Sequence, residues 1–241
     1  MEQRETLIYN AKLSEQCDRY DEMAKIMKEV SEKYPKLSKE ERNLLSVSYK
    51  NIVGQRRSSW RVISSIEEKT AESSSLAIVK KYKACIEKEL KDLCKEVLGI
   101  LERLIPGAED EENKVFYFKL KGDYYRYLAE FSHGQEHKEE AENGNKAYKE
   151  GTELAVKSMS PTDPIRLGLH LNHSVFYKEI LDDSDAAVGL AKKALEEAMD
   201  ELDKLGEDAY KDSTLIMQLL KDNLSLWKTE VDDNEEDGPK H

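Results

Sequence analysis

Two groups of cations have the types and spacing to do chemistry. Lys50 and Arg57 lie seven residues apart, so about two helical turns bring them to one face, with Arg56 and Arg61 nearby. Lys119 and Arg126 repeat that spacing, and Tyr127 follows directly. Like charges on one face repel unless an anion sits over them. An arginine fork pairs bidentately with a phosphate or carboxylate, and an adjacent phenol donates one more bond. The other readings are a solvated charged face for the first group, and pairing of Arg126 with a nearby Asp or Glu for the second.

Two further faces mix apolar residues with one amide each. Leu219, Asn223 and Leu226 fall at i, i+4 and i+7, with Trp227 alongside; Asn172, Val175 and Glu179 fall at i, i+3 and i+7, beside Leu171. Apolar residues so placed serve a core or a contact. An asparagine left unpaired there costs about 1–3 kcal/mol, which suggests amides held ready for a ligand's backbone. Metal chemistry has weaker footing. His133 and His137 are four apart and His170 and His173 three apart, but the first pair straddles Gly134 and neither has an evident third ligand. Gly-rich phosphate loops, the Gly-x-Ser-x-Gly elbow and the His-Glu-x-x-His helix are missing. No catalytic residue, metal or cofactor is expected, and the chain reads as a non-enzyme.

The elements that must position these residues are helices. Among 241 residues, 37% are charged and only 11 are Gly and 5 Pro, a composition that favours long helices and a sizeable core. The net charge of -12 argues against nucleic acid or anionic membrane as a partner. No apolar run is long enough for a membrane span, and the opening residues Met1 to Glu5 lack the apolar core of a signal peptide. Cys17, Cys85 and Cys94 have no metal-like spacing and read as small buried residues in a reducing setting. A cytoplasmic location is expected, with the nucleus as an alternative.

Apolar periodicity predicts helices at about 2–16, 19–32, 38–69, 76–104, 114–131, 136–159, 165–181, 185–204 and 208–228. Asp18 is placed as the cap between the first two. Ser38 and Glu41 form a capping box, and Asp163 caps a helix whose first residue is Pro164. Gly54, inside the third helix, costs about 1 kcal/mol of propensity and implies close packing there. Short connections make antiparallel neighbours in a single all-α domain over 1–230, with an acidic, disordered tail at 231–241.

These residues also carry a resemblance. The block from Arg42 to Arg61 (RNLLSVSYKNIVGQRRSSWR) resembles the most distinctive block of the 14-3-3 family, and Lys121 to Glu130 (KGDYYRYLAE) is similar to a second. Pro164 to Leu169 with Ser174 to Tyr177, and Tyr210 to Leu220, resemble a third and a fourth. The match spans about residues 4–229. It implies a nine-helix, cup-shaped fold that dimerises through its N-terminal helices, each subunit holding a phosphoserine or phosphothreonine peptide of a client protein in an amphipathic groove. By motif, Lys50, Arg57, Arg126 and Tyr127 would hold the phosphate, and Asn172 and Asn223 the peptide backbone. Leu171, Val175, Ile216, Leu219 and Leu226 would form the apolar wall, with Lys119, Glu179 and Trp227 framing the groove. Leu13, Arg19, Ser59, Val62, Tyr82 and Glu89 would belong to the subunit interface, of a homodimer or of a heterodimer with paralogues.

The implied function is an adapter that clamps, masks or scaffolds phosphorylated clients; the alternative is a helical scaffold for unphosphorylated amphipathic partners in the same groove. The chain departs from the family pattern in places. His170 and His173 stand where the family has a small and an aromatic residue, next to Asn172, which predicts pH-dependent binding between pH 5.5 and 8. Cys85 stands where a basic residue commonly faces the acid at about Glu22, so one intersubunit salt bridge is expected to be missing. Ser59 lies where several relatives are phosphorylated.

Overall fold

The computed structural model describes residues 3–236, with side chains over 3–228. Among the described residues there are nine α-helices, one 3-10 turn and no strand. The chain divides into two compact units, one ending at Glu109 and the other beginning at Asp110. That boundary is a helix cap rather than a Gly- or Ser-rich linker, so nothing in composition marks it.

The first unit holds α1 (Gln3–Gln16), α2 (Tyr20–Lys33), α3 (Lys39–Lys69) and α4 (Leu76–Gly107). Met23, Met27 and Val30 of α2, Leu45, Tyr49 and Val53 of α3, and Leu90, Cys94 and Leu101 of α4 are buried at helical spacing. The capping box is present: Glu41 N–H donates to Ser38 Oγ at 3.2 Å, and Ser38 N–H to Glu41 Oε2 at 2.7 Å. The same carboxylate receives a bidentate pair from Arg4, both contacts at 2.6 Å, so the start of α3 also anchors α1.

The second unit holds α5 (Glu111–Phe131), α6 (Gly134–Ser158), α7 (Pro164–Glu179), α8 (Ser184–Glu201), the 3-10 turn Leu202–Lys204 and α9 (Glu207–Glu236). Small residues let these helices approach. A Cβ added at Gly122 would lie 2.6 Å from the Tyr148 ring, and one at Gly151 3.0 Å from the Phe118 Cβ, so α5 and α6 meet nearly backbone to side chain. Ala187, Ala191, Ala194 and Ala198 make a buried stripe on α8 against Leu167, Met217, Leu220 and Trp227. Asp163 caps α7, accepting from Ile165 N–H at 2.8 Å, with Pro164 in the first turn.

Several expectations change. Asp18 does not cap α2: it sits at φ 53° in the left-handed region that ends α1, and Arg19 takes the N-cap without a side-chain bond. The fifth helix starts at Glu111 because Asp110 accepts from Asn113 N–H at 2.6 Å, and Glu111 and Glu112 complement the helix dipole. Ile105, Pro106 and Gly107 form the last turn of α4 instead of following it. Cys17 and Cys85 are exposed, and only Cys94 is a buried apolar residue. α9 continues helical to Glu236; the remainder of the segment read as a tail lies outside the described residues.

Gly54 is also not a packing glycine. A Cβ there meets nothing within 4 Å, and its backbone is not in the positive-φ region. Gly54→Ala should therefore stabilise the chain by about 0.5–1 kcal/mol through the unfolded state. A urea midpoint raised at fixed protein concentration is the expected result; a lowered midpoint would mean that another surface packs on α3 at this turn.

Candidate functional site

The polar centre of the second unit is Asp123 on α5, only 4% exposed. Its Oδ1 accepts from Tyr148 Oη of α6 at 2.5 Å and from Asn172 Nδ2 of α7 at 2.8 Å. Its Oδ2 accepts from Lys119 Nζ at 2.8 Å. Burial alone would raise its pKa, but the charges of Lys119 and Arg126 and these hydrogen bonds hold it below the usual carboxylate value. Residues from three helices thus converge on one ionised group.

Arg126 lies three residues further along α5 and is 9% exposed. Its Nε donates to Tyr148 Oη at 3.3 Å. Nη2 stands 3.8 Å from Asp123 Oδ1, and Nη1 3.8 Å from Glu179 Oε2, ion-pair distances too long for hydrogen bonds. The guanidinium carbon sits 4.8 Å from the Tyr127 ring centroid. Burial works against its charge; Tyr148, Tyr127 and Asp123 outweigh it, and the pKa is raised. The result is a cation fixed at its base and flank, with the end of its fork facing carboxylates that it does not hydrogen-bond.

Beside this cluster, Leu171 and Val175 of α7 and Ile216 of α9 are half-buried against the core, whereas Leu219 and Leu226 are exposed and Asn223 is half-buried on the same helix. Trp227 is a core residue beneath that face, not an exposed one. Glu179 is exposed near Arg126.

In the first unit, Lys50 is exposed and Arg57 half-buried on α3. Leu13, Val62 and Tyr82 are 42%, 62% and 62% exposed. Arg19 pairs with Glu22 of its own chain, and Glu89 with Arg56 at 3.4 Å. Ser59 is exposed, its hydroxyl donating to Gln55 O at 3.1 Å.

Sequence reasoning missed Asp123 and Tyr148. The available signal was local: Asp123 is four residues after Lys119 and three before Arg126, the spacing of ion pairs on one helix. Gly122 marks the place where Tyr148 must approach.

The reading of His170 and His173 as pH sensors is corrected. Among the described residues no group of three His, Cys, Asp or Glu side chains could hold a metal, and His137 Nδ1 lies 2.8 Å from Ala129 O. His170 and His173 are buried. Burial, then Arg166 and Lys193, push His170 down to about 4; burial, then His170 and Lys149, push His173 down to about 3. Neither changes charge between pH 5.5 and 8, so neither tunes binding in that range.

They act on stability instead. The fold holds both imidazoles neutral, so the unfolded chain takes up protons first as pH drops below the ordinary value of 6.5. Their contribution is complete above that value and is lost towards the folded values of about 4 and 3. His173→Phe should reduce the stability lost between pH 7 and pH 5 by about 2 kcal/mol, from ~1.4 kcal/mol per pH unit. Urea unfolding at the two pH values checks this; an undiminished loss would mean that His173 is protonated in the fold at pH 5.

With this geometry in place, comparison with known proteins gives a consistent outcome. The family model for "14-3-3 protein" matches residues 10–228. The chain is 56% identical over 236 residues to the checkpoint signal transducer rad25 of Schizosaccharomyces pombe, covering 96% of this chain and 87% of that protein. It is 53% identical over 247 residues to 14-3-3 protein epsilon of Drosophila melanogaster, covering 99% and 94%. It is 57% identical over 230 residues to 14-3-3 protein zeta of Bombyx mori, covering 95% and 93%. A family model matched along nearly the whole chain, with relatives of this identity, means that the protein belongs to the 14-3-3 family.

Proposed function

We infer that the chain is an adapter that binds phosphoserine or phosphothreonine segments of client proteins, with Arg126 and Tyr127 as the phosphate ligands of the second unit. The observation that carries this reading is the state of Arg126. It is buried and tethered through Nε to Tyr148, yet among the described residues the ends of its fork make no hydrogen bond and stand 3.8 Å from two carboxylates. A phosphate carries about -1.5 to -2 charges at neutral pH, and each charge-assisted hydrogen bond contributes roughly 1.5–3 kcal/mol. On the family motif, Lys50 and Arg57 of α3 are phosphate ligands as well. Asn172 and Asn223 hold the peptide backbone, while Leu171, Val175, Ile216, Leu219 and Leu226 meet its side chains. An unphosphorylated peptide offers no dianion to the terminal N–H groups of Arg126, which is the basis of discrimination. The protein changes its clients by holding them rather than by chemistry.

Calorimetry with a phosphoserine peptide and its unphosphorylated twin tests this. The wild type should bind the phosphopeptide at least a hundredfold more tightly, a difference of about 2.8 kcal/mol. Arg126→Ala and Arg57→Ala should each erase most of that gap. Equal binding of both peptides by the wild type would favour the scaffold for unphosphorylated partners.

We also propose that the protein dimerises through its first unit. Leu13, Val62 and Tyr82 are large apolar side chains left exposed there, and such exposure commonly marks an interface. The pairing of Arg19 with Glu22 and of Arg56 with Glu89 within one chain means that an interface would exchange partners, while Cys85 offers no charge to Glu22. Apolar contact therefore supplies most of the association. Sedimentation at micromolar concentration should show a dimer, and Ser59→Asp should shift it towards monomer by placing charge beside Val62. A wild type that sediments only as monomer rules the proposal out.

A further inference from the structure

A cavity of about 370 Å³ opens between α6, α7 and α8, near the lower end of the ~300–1,000 Å³ common for small-molecule sites. It uses none of the residues assigned to phosphopeptide recognition. Tyr177, Leu190 and the open flank of Gly189 provide apolar surface, and a Cβ at Gly189 would meet nothing within 4 Å. Lys149, Lys193 and the carboxylate of Glu153 line it, and Lys193 Nζ also stands 3.8 Å from Glu197 Oε1 in an exposed pair.

One of the two histidines that set this chain apart from the family pattern, His173, is part of the lining. His173 stacks on Tyr148 at 5.1 Å and on Tyr177 at 4.6 Å, with interplanar angles of 13° and 20°. With ring faces engaged in this way, the edge is what remains for polar contact. Nδ1 meets Thr152 Oγ1, another lining residue, at 3.3 Å. Nε2 is buried and has no hydrogen-bond partner among the described residues. When Thr152 donates to Nδ1, Nε2 carries the ring proton and is a donor with nothing to meet. A buried polar atom in that state is destabilising, and an aromatic residue at this position would avoid the cost. The imidazole stays neutral at physiological pH, so it recognises a ligand as a hydrogen-bonding edge and not as a charge.

We propose that this cavity is a binding site for a small aryl carboxylate. The aromatic body would lie on Leu190, Tyr177 and the bare backbone of Gly189. The carboxylate would sit against Lys149 and Lys193 and accept the Nε2 proton of His173, while Thr152 keeps its own proton on Nδ1. Charge complementarity selects an anion, and the size of the cavity limits the ligand to one or two rings.

Calorimetry on the full chain with 1-naphthoate and with uncharged 1-naphthamide tests the site, together with imidazole proton–nitrogen spectra. Saturable binding of 1-naphthoate is expected, with the amide at least tenfold weaker and the His173 ring resonances shifted on titration. Gly189→Leu should fill the cavity, lower naphthoate affinity at least tenfold and leave the thermal midpoint intact. If that variant does not fold, Lys193→Ala serves instead, with a loss of at least threefold expected. Absence of saturable binding, equal affinity for the amide, or full affinity in the folded variant would each overturn the proposal.

Discussion

A buried carboxylate without partners is among the least tolerable groups in a protein, and the second unit is built around one that is satisfied. Removing an ion from water costs several kcal/mol even after relaxation. Asp123 offsets that through Lys119, Tyr148 and Asn172, with Arg126 adding charge at 3.8 Å. Because those partners come from α5, α6 and α7, satisfying the charge fixes the mutual registration of the three helices. The close approach this requires is provided by Gly122, where no Cβ could coexist with the Tyr148 ring. Electrostatics and packing therefore impose one constraint, not two.

The first unit uses the same device in less buried form. Glu96 of α4 receives Lys28 of α2 at 2.6 Å and Tyr49 of α3 at 2.7 Å. Burial and this acceptor together push the Tyr49 phenol well above its usual pKa, which keeps it a donor at any physiological pH. Glu41 joins the cap of α3 to Arg4 of α1. A single carboxylate thus sets where two or three helices stand. In a chain with 50 acidic residues, a few carboxylates tie helices together and most of the rest remain solvated.

That ratio explains what the sequence disclosed. Helix extents and the caps at Ser38, Glu41, Asp163 and Pro164 follow from short-range rules, and they were legible. So were Arg126 and Tyr127, because a cation beside a phenol is distinctive. Asp123 was not, since nothing local separates a buried aspartate from its many exposed equivalents. Gly54, Cys17 and Cys85 misled for the converse reason: residue types that usually mark close packing stand here in open surroundings. The histidines read as pH sensors by their intrinsic pKa, and only tertiary burial shows that they lie outside that range. Local rules report the backbone well and the environment of a side chain poorly.

The surroundings of Arg126, proposed above as a phosphate ligand, show why an internal ion pair and such a role need not compete. Asp123 is buried and cannot leave, but at 3.8 Å from Nη2 it supplies field without consuming a hydrogen bond. Glu179 stands at the same distance from Nη1 and is 58% exposed; its carboxylate is already solvated and makes no hydrogen bond to the fork, so moving it aside leaves no buried acid behind. Tyr148 holds Nε, which keeps the fork from turning towards either acid. Tighter pairing with Asp123 would neutralise the guanidinium as a ligand, and no acid at all would leave a buried cation to repel Lys119. The observed spacing lies between these limits: Arg126 stays charged and fixed in the free protein, and its terminal N–H groups stay available to an anion from outside.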